Sequence, residues 1–457
     1  MKNKLLILSL LICSLWACQS QKEESRATAV LFKKNDPALL QNSVKKLTDV
    51  IVYDIFTPPV ASRIYAYTSL AAYEAIRLNK PEQYPSLTAN MNGFDPMPQP
   101  DKGKNYDFTL AGIKAFMTVG QKITFSVDTL KKFEAGLLEQ YAAVLDADTY
   151  KRSLELGEAI GKAVLARGTK DNYKETRGFA RYTVVKGEDK WQPTAPDYAD
   201  AIEPYWHTIL PLALDSARQC IPPPPTTYSI DKKSDFYKEF MEVYETGKNL
   251  TEEQIEIARF WDDNPFVSHH TGHATFATKK MTPGGHWMAI ATLTSRQAKA
   301  DVEKTAQTYA LTATSLFDGF ISCWEEKFRS QFVRPVTVIN QQVDETWESF
   351  LQTPPFPEYT SGHSVISASA ATVLTNLYGD NFAYHDTTEL EYGMGQRSFN
   401  SFMEAAHEAA LSRLYGGIHY RNTNRKGTEQ GIKVGNIVLS KTGLQPSTAQ
   451  VIVPVSK

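Results

Sequence analysis

The chain has 457 residues, of which 42% are hydrophobic and 22% are charged. Such a composition is typical of a protein with a large core and excludes disordered, collagen-like and coiled-coil classes. The length allows either two or three domains or one large helical enzyme. Because the formal net charge is −2, we expect no nucleic-acid partner, and an anion site must come from a local cluster of cations.

The N-terminus has the pattern of an export signal. Two lysines precede the apolar residues 5–17, a run shorter than the ~20 residues that span a bilayer. The run ends in Leu-Trp-Ala-Cys at Cys18, which resembles the lipobox of bacterial lipoproteins. Residues 1–17 are therefore predicted to be a signal peptide and Cys18 to carry lipid. We expect an exported bacterial lipoprotein, periplasmic or anchored to the outer membrane or cell surface by lipid only; an ordinary secretory signal is the alternative.

Two cysteines remain in the chain after the signal and Cys18. Cys220 and Cys323 either pair in a disulfide or stay as two buried free thiols. The sequence has no CxxC and no Cys/His zinc spacing, which excludes a structural zinc module.

The rest of the chain is predicted to be helical almost throughout. Residues 18–35 are polar and form a flexible tether, after which Asp36-Pro37 begins a helix. Pro59 opens a second helix with apolar residues at three- and four-residue steps. A capping box at Thr251 starts another, and the longest helix follows Ser295 and reaches about residue 328. Alternating strand patterns are scarce, so the predicted fold class is all-α, built from packed helical bundles.

Four consecutive prolines, residues 222–225, mark the clearest internal boundary. Such a run is a stiff, extended connector. It predicts an N-terminal helical half, residues 36–225, and a C-terminal half, residues 226–457, which carries the candidate site described next.

Two cations lie at the end of the longest predicted helix. Lys327 is near the helix end, and Arg334 follows directly before Pro335. Arg334 therefore lies either on the same helical face, nearly two turns on, or just past the end of the helix. In both cases the two cations can converge.

Two further stretches carry groups suited to an anion. Ser361 is a good N-cap, Gly362 lets an anion approach the backbone, and His363 follows at once. Arg413 lies in the last turn of an alanine-rich helix, and His419 follows the glycines that end it. Taken singly, these residues also fit solvated charges, a simple cap and a core histidine. Together, three packed cations require a matching oxyanion that accepts charge-assisted hydrogen bonds.

In order and spacing, the stretches K-x6-R-P, S-G-H and S-R-x5-H resemble the signature of the vanadium-dependent haloperoxidases and the related type 2 phosphatidate-type acid phosphatases. The resemblance is strong from Trp324 to His419 and is closest in character to bacterial vanadium iodoperoxidases. It implies an all-α fold, a vanadate cofactor with vanadium at +5, and hydrogen peroxide and halide as partners. Thr360 stands where the family usually has proline, which we expect to loosen the turn.

The resemblance also implies a role for each residue. His419 would bond to vanadium, as the metal ligand, and His363 would be the acid–base group toward peroxide, so that both are catalytic. The groups that would hold the oxygens of vanadate are three cations and the N-cap turn: Lys327, Arg334, Arg413, Ser361 and Gly362.

Two aromatic residues favour the peroxidase branch. Trp324 and Phe356 match positions that, in haloperoxidases, flank the side of vanadate that meets the halide; they also fit ordinary core positions. An apolar, cation-rich pocket favours iodide, with bromide as the second choice. The alternative is a histidine-dependent acid phosphatase on phosphate monoesters, with His419 as nucleophile. A phosphate-binding lipoprotein without catalysis is a minor alternative, and it would not need His363.

Two other groups are weaker candidates. Asp262 and Asp263 either support an active-site arginine or cap a helix end. His269, His270 and His273 fit a metal-binding helical face, but no carboxylate stands at an obvious spacing. Local hydrogen bonding or exposure is the preferred interpretation of these histidines.

Overall fold

The computed structural model describes residues 32–265, 267–271, 274–277 and 279–445. The predicted signal peptide, residues 1–17, and the predicted lipidation site Cys18 lie outside the described residues, as does most of the tether.

The first part of the chain forms five long helices and one short one. These are α1 (Pro37–Tyr53), α2 (Pro58–Ile76), α3 (Phe108–Ile123), α4 (Val127–Val144), α5 (Ala147–Gly168) and α6 (Tyr173–Thr176). The predicted first helix is confirmed, because the Asp36 carboxylate accepts from Ala38 N at 2.9 Å. The second begins one residue earlier than expected, capped by Thr57. The 3-10 turns Arg77–Asn79 and Trp206–Thr208 also belong to this part.

The described residues after 230 form eight further helices. They are α7 (Asp235–Lys248), α8 (Glu252–Phe260), α9 (Pro283–Gln297), α10 (Val302–Ser330), α11 (Pro335–Gln342), α12 (Gly362–Tyr378), α13 (Phe402–Tyr415) and α14 (Arg421–Lys441). The predicted capping box of Thr251 and Gln254 is present at the start of α8. A 3-10 turn, Leu390–Tyr392, lies between α12 and α13.

Strands are few in the part of the chain that the structure describes, and the predicted all-α class is confirmed. The antiparallel pair β1 (Ser268–Thr271) and β2 (Ala274–Ala277) sets His269 opposite Phe276, and β3 (Tyr384–Asp386) pairs with β4 (Arg397–Phe399). His269 and His270 therefore lie in a strand, so placing them on a helical face was wrong. His273 lies outside the described residues.

The long helix α10 is the central element of the fold. It packs against α2 on one side and against α12 on another, and α12 packs in turn against α13 and α14. Every residue from 305 to 328 is buried, as expected for a helix enclosed on all sides. One hydrophobic core accordingly contains Ile64 of α2, Leu316 of α10 and Val365 of α12. The predicted division into halves at residues 222–225 stays a prediction.

The predicted start of this long helix was wrong. α9 ends at Gln297, and the chain turns through Lys299, with a φ of 51°, before Asp301 caps α10 by accepting from Lys304 N at 2.8 Å. Residues 296–299 are Arg-Gln-Ala-Lys, good helix formers, so that no glycine or proline marks the turn.

The glycines of α14 bring it close to α12. A Cβ at Gly431 would lie 2.1 Å from Val365 O, and one at Gly427 would lie 3.1 Å from Ser361 O. Only glycine permits such an approach. The backbone of α14 therefore packs directly behind the N-terminus of α12, where the candidate site begins.

Two smaller questions from the sequence are answered by the structure. Cys220 and Cys323 are buried free thiols rather than a disulfide. Among the described residues, a search for an apolar helix long enough to cross a bilayer found none.

Candidate active site

Four element ends meet at one cavity of about 530 Å³, and the cations Lys327 and Arg334 lie just behind its lining. Lys327 lies in the last turn of α10, and Arg334 is the residue before α11, just past the helix end. The N-terminus of α12 contributes Gly362, while Arg413 comes from the last turn of α13 and His419 from the loop that follows. The second of the two sequence-based placements of Arg334 is therefore correct.

Two of the three cations are held by backbone carbonyls. Lys327 is fully buried, and its Nζ donates to Pro357 O at 2.8 Å and to Glu358 O at 3.0 Å. Arg334, equally buried, donates to Phe356 O at 3.0 Å and Ile418 O at 2.8 Å. Burial lowers the pKa of Lys327 to about 7 and that of Arg334 to about 10. Two cations are thus desolvated around a space that an anion would fill.

Arg413 completes the cluster from the opposite side. Its Nη2 donates to Trp261 O at 2.7 Å and its Nε to Ser412 Oγ at 3.0 Å. Burial lowers the pKa of Arg413, and the charges of Asp262 and Asp263 oppose that shift. Among residues within the described ranges, neither Arg413 nor the other two cations form an ion pair. The aspartates thus support this arginine at a distance, one of the two roles expected for them.

Glu358 orients His419, a partner that the sequence did not indicate. His419 Nδ1 lies 2.8 Å from Glu358 Oε1, which also accepts from Tyr420 N at 3.2 Å, and Thr423 donates to the other oxygen at 3.0 Å. This assigns the proton to Nδ1, and the Nε2 lone pair accepts from Arg334 Nη1 at 3.1 Å, a hydrogen bond that a ligand at Nε2 would replace. Burial and the cation Arg334 lower the pKa of His419 well below its usual range, so the ring is neutral.

The start of α12 offers backbone donors to the same cavity. Ser361 caps the helix, with its hydroxyl accepting from Ser364 N at 3.4 Å, and Gly362 occupies the first helical position. The first N–H groups of a helix have no partner within the helix and suit an anion. The buried hydroxyl of Thr360 donates to Gln430 Oε1 at 2.6 Å, and the looser turn expected at this residue stays a prediction.

His363 faces the cavity with an unpaired ring nitrogen. Within the described residues its buried Nε2 has no hydrogen-bond partner, and it lies 3.8 Å from Asp263 Oδ2. Burial, together with the charges of Arg413 and His286, lowers the pKa of His363 well below its usual range. The imidazole is therefore neutral and able to accept a proton.

Trp324 and Phe356 form an aromatic wall of the cavity. Their ring centroids are 5.0 Å apart. Lys327 Nζ lies 4.9 Å and Arg334 Cζ 5.2 Å from the centroid of the Phe356 ring. The wall is thus apolar on its surface and backed by positive charge. With these two, the structure brings together every site residue predicted from the sequence except Cys18.

Comparisons with known proteins identify the family. The family model described as the VCPO second helical-bundle domain matches residues 307–444. A crystal structure described as the first bacterial vanadium-dependent iodoperoxidase has a TM-score of 0.84 and 43% sequence identity, covering 89% of this chain and 97% of that chain. The chain belongs to the vanadium-dependent haloperoxidases.

More distant haloperoxidases share the fold. Crystal structures of a holo-type and an apo-type bacterial vanadium-dependent chloroperoxidase match with TM-scores of 0.66 and 0.64, at 15% and 16% identity. Each match covers 85% of this chain, and 93% and 94% of the respective other chain. A search of curated proteins found no match.

The residues of this haloperoxidase fit the vanadate cofactor of its family. Of the three buried cations, Arg413 lines the cavity, and Lys327 and Arg334 lie just behind its lining. The Nε2 lone pair of His419 accepts from Arg334 Nη1 at 3.1 Å, a hydrogen bond that a metal bond would replace, and the His363 ring has an unpaired nitrogen. Such a donor set suits a compact oxyanion that also accepts one nitrogen ligand.

Proposed function

We propose that this haloperoxidase oxidises iodide in preference to bromide. Hydrogen peroxide, halide and one proton would give hypohalous acid and water. The observation that carries the proposal is the Trp324–Phe356 wall lying directly beside the cluster of buried cations. The iodoperoxidase title of the relative at 43% identity supports the same choice of halide.

The cofactor would be held from two sides. His419 Nε2 would bond to vanadium, while Lys327, Arg334 and Arg413 would hold its oxygens. Because these cations are desolvated, they favour a multiply charged anion over water. Backbone carbonyls fix each cation in place before the anion binds, so that binding needs little rearrangement.

The Ser361 hydroxyl and the N–H of Gly362 would complete this cage. The helix N-terminus adds partial positive charge and donors that need no rearrangement. Glu358 would keep the His419 proton on Nδ1, and a carboxylate in that position raises the basicity of the ligating nitrogen.

Bound vanadate supplies a Lewis acid that makes a peroxide oxygen electrophilic toward halide. The protein supplies the proton transfer. His363 is neutral, lies in the cavity lining, and therefore can take a proton from incoming hydrogen peroxide and return it to the leaving oxygen.

The halide preference follows from desolvation. A halide that enters beside Trp324 and Phe356 loses part of its hydration shell, and the cost is lowest for the large, weakly hydrated iodide. Lys327 and Arg334, at 4.9 and 5.2 Å from the Phe356 ring centroid, attract the anion without contacting it directly.

One experiment separates this function from the phosphatase alternative. The purified apoprotein is reconstituted with orthovanadate and assayed for iodide and bromide oxidation, and without vanadate for hydrolysis of p-nitrophenyl phosphate. Vanadate-dependent triiodide formation that exceeds bromide oxidation supports the proposal. Phosphate-ester hydrolysis that vanadate inhibits would instead assign the site to a phosphatase.

A His363→Ala variant tests the acid–base role in the same assay. It should still bind orthovanadate but turn over slowly, whereas His419→Ala should lose both orthovanadate binding and turnover. A variant lacking His363 that keeps full turnover would refute that role.

We also propose, from the sequence alone, that the haloperoxidase is an exported lipoprotein. The lipobox-like sequence that ends at Cys18 supports an anchor by lipid only.

A further inference from the structure

A buried cluster of ionisable side chains lies behind His363. His286, on α9, is fully buried, and its Nδ1 lies 3.2 Å from both carboxylate oxygens of Asp263. Its Nε2 lies 3.0 Å from an oxygen of Asp386, the last residue of β3. Both aspartates are buried as well.

The contacts of His286 make it a cation. A ring with an acceptor at each nitrogen must donate from both, which requires the imidazolium form. Although burial alone lowers the pKa of His286, the charges of Asp263 and Asp386 raise it well above its usual range. The indole of Trp261 stacks on the ring, with centroids 4.5 Å apart and planes 21° apart, as suits a buried cation.

The cluster carries one net negative charge. Burial and the charge of Asp263 raise the pKa of Glu389 to about 8, so this buried carboxyl is neutral at pH 7. One imidazolium thus faces two carboxylates, and Thr388 stabilises Asp386 by donating its N–H at 3.0 Å and its hydroxyl at 2.7 Å.

Asp263 links this cluster to the active site. Its Oδ2 lies 3.8 Å from His363 Nε2, and both side chains line the cavity. In the described part of the chain, His286 is the group that donates hydrogen bonds to the Asp263 carboxylate. The position of that carboxylate beside His363 therefore depends on His286.

The same segment also supports an arginine of the cage. Trp261, two residues before Asp263, accepts from Arg413 Nη2 at 2.7 Å through its carbonyl, and its indole stacks on His286. His286 does not line the cavity itself. It acts there through its contacts with residues 261–263 and through its charge, which lowers the pKa of His363.

We propose that His286 is a positioning residue for peroxide activation, which holds the Asp263 carboxylate against His363 from behind. Asp386 fixes His286 in turn, so that a series of side-chain contacts leads from β3 through His286 and Asp263 to the proton-transfer group. The inference rests on the proposed role of His363. It adds that the geometry of this histidine is set by a cation outside the cavity.

The test compares His286→Gln with Asp263→Asn and with the double variant. His286→Gln should bind orthovanadate with a dissociation constant within about threefold of wild type, measured by calorimetry on the apoprotein. Its kcat should fall by about tenfold or more, as expected for a lost supporting hydrogen bond, with little change in KM for iodide. Because both residues act through one contact, the double variant should lose no more than Asp263→Asn alone.

His385→Gln is the matched control. His385 precedes Asp386 in β3 but is exposed and contacts Ser398 instead of the cluster. Its kcat should equal that of wild type.

If His286→Gln does not fold, Asp386→Asn decides the question. The amide oxygen still accepts from His286 Nε2, while the charge that fixes the ring is lost. We expect a smaller fall in kcat with unchanged orthovanadate binding. An unchanged kcat in this variant would overturn the proposal.

Three further results would overturn it. One is full turnover by His286→Gln, and another is a loss that simply adds to that of Asp263→Asn. The third is one equivalent of a divalent metal that purified wild type retains and His286→Gln lacks, because Asp263, His286 and Glu389 also converge closely enough to bind a metal. A wild type without vanadate-dependent halide oxidation would refute the proposed function; an active wild type with an unaffected His286→Gln would refute only this inference.

Discussion

Replacing Glu358 with glutamine should weaken cofactor binding while leaving the fold intact. The carboxylate accepts from His419 Nδ1, Tyr420 N and Thr423 Oγ1, and it is fully buried. A glutamine keeps the volume and one acceptor oxygen but brings an NH2 group to a place where donors already point. The His419 ring is then free to change tautomer or rotate, so that Nε2 no longer faces the cavity.

The size of the effect follows from this geometry. Loss of a partner that orients a metal-binding histidine typically costs about 10–100-fold in metal affinity. That range corresponds to about 1.4–2.8 kcal/mol of binding free energy. Part of it is offset, because burial raises the pKa of Glu358 to about 7, so that the carboxyl is partly protonated near neutral pH. We expect about a tenfold rise in the orthovanadate dissociation constant at pH 8, measured by calorimetry on the apoprotein.

Glu326→Gln provides the control for loss of a buried carboxyl. Burial also raises the pKa of Glu326 to about 7, and it neighbours Lys327, but it pairs with Arg329 and does not touch His419. Its dissociation constant should stay within about twofold of wild type. If Glu358→Gln binds orthovanadate as tightly as wild type, Glu358 does not orient His419 as inferred.

Four other changes test separate parts of the structure. Burial lowers the pKa of Lys327 to about 7, and a bound oxyanion shifts this pKa back toward its ordinary value. Orthovanadate binding between about pH 7 and 10 should therefore take up protons. Calorimetry in buffers of different ionisation enthalpy should show less proton uptake in Lys327→Met. Phe356→Ala should reduce kcat/KM for iodide more than orthovanadate affinity, whereas Phe356→Leu, which keeps an apolar surface, should retain most of the wild-type kcat/KM. Equal losses of kcat/KM in both variants would contradict desolvation by an apolar surface as the cause. Gly431→Ala places a Cβ 2.1 Å from a backbone oxygen and should lower the free energy of unfolding by about 1–3 kcal/mol, whereas Gly136→Ala, which meets nothing within 4 Å, should not lower it. Cys18→Ser should move the protein from the membrane fraction to the soluble fraction and abolish palmitate labelling; an unchanged distribution would contradict lipidation.

Local chemistry explains which parts of the site could be predicted from the sequence. Ser361 caps α12 because its own hydroxyl reaches Ser364 N, and Arg334 has an extended backbone because a proline follows it. Such rules act within a few residues, so they can be applied to the sequence directly. The glycines that end α13 before His419 follow the same logic.

The break between α9 and α10 shows where local rules fail. Residues 296–299 are Arg-Gln-Ala-Lys, all of them good helix formers, and the chain turns at Lys299 without a glycine or proline. Helix propensity therefore predicts no break at residues 298–301. The cap at Asp301 is visible in the sequence, but a single aspartate is too common to mark a helix start by itself.

The groups that the sequence did not reveal are those that act through distant partners. Glu358 and His419 are 61 residues apart, and His286 and Asp386 are 100 apart. No spacing rule joins them, since their contact exists only after the helices have packed. The three cations, in contrast, could be predicted from the sequence. They stand in the stretches of a known signature, and three cations packed together require an anion. The residues proposed to bind the ligand could thus be predicted from their resemblance to a known signature, whereas the residues that orient them are found only in the three-dimensional structure.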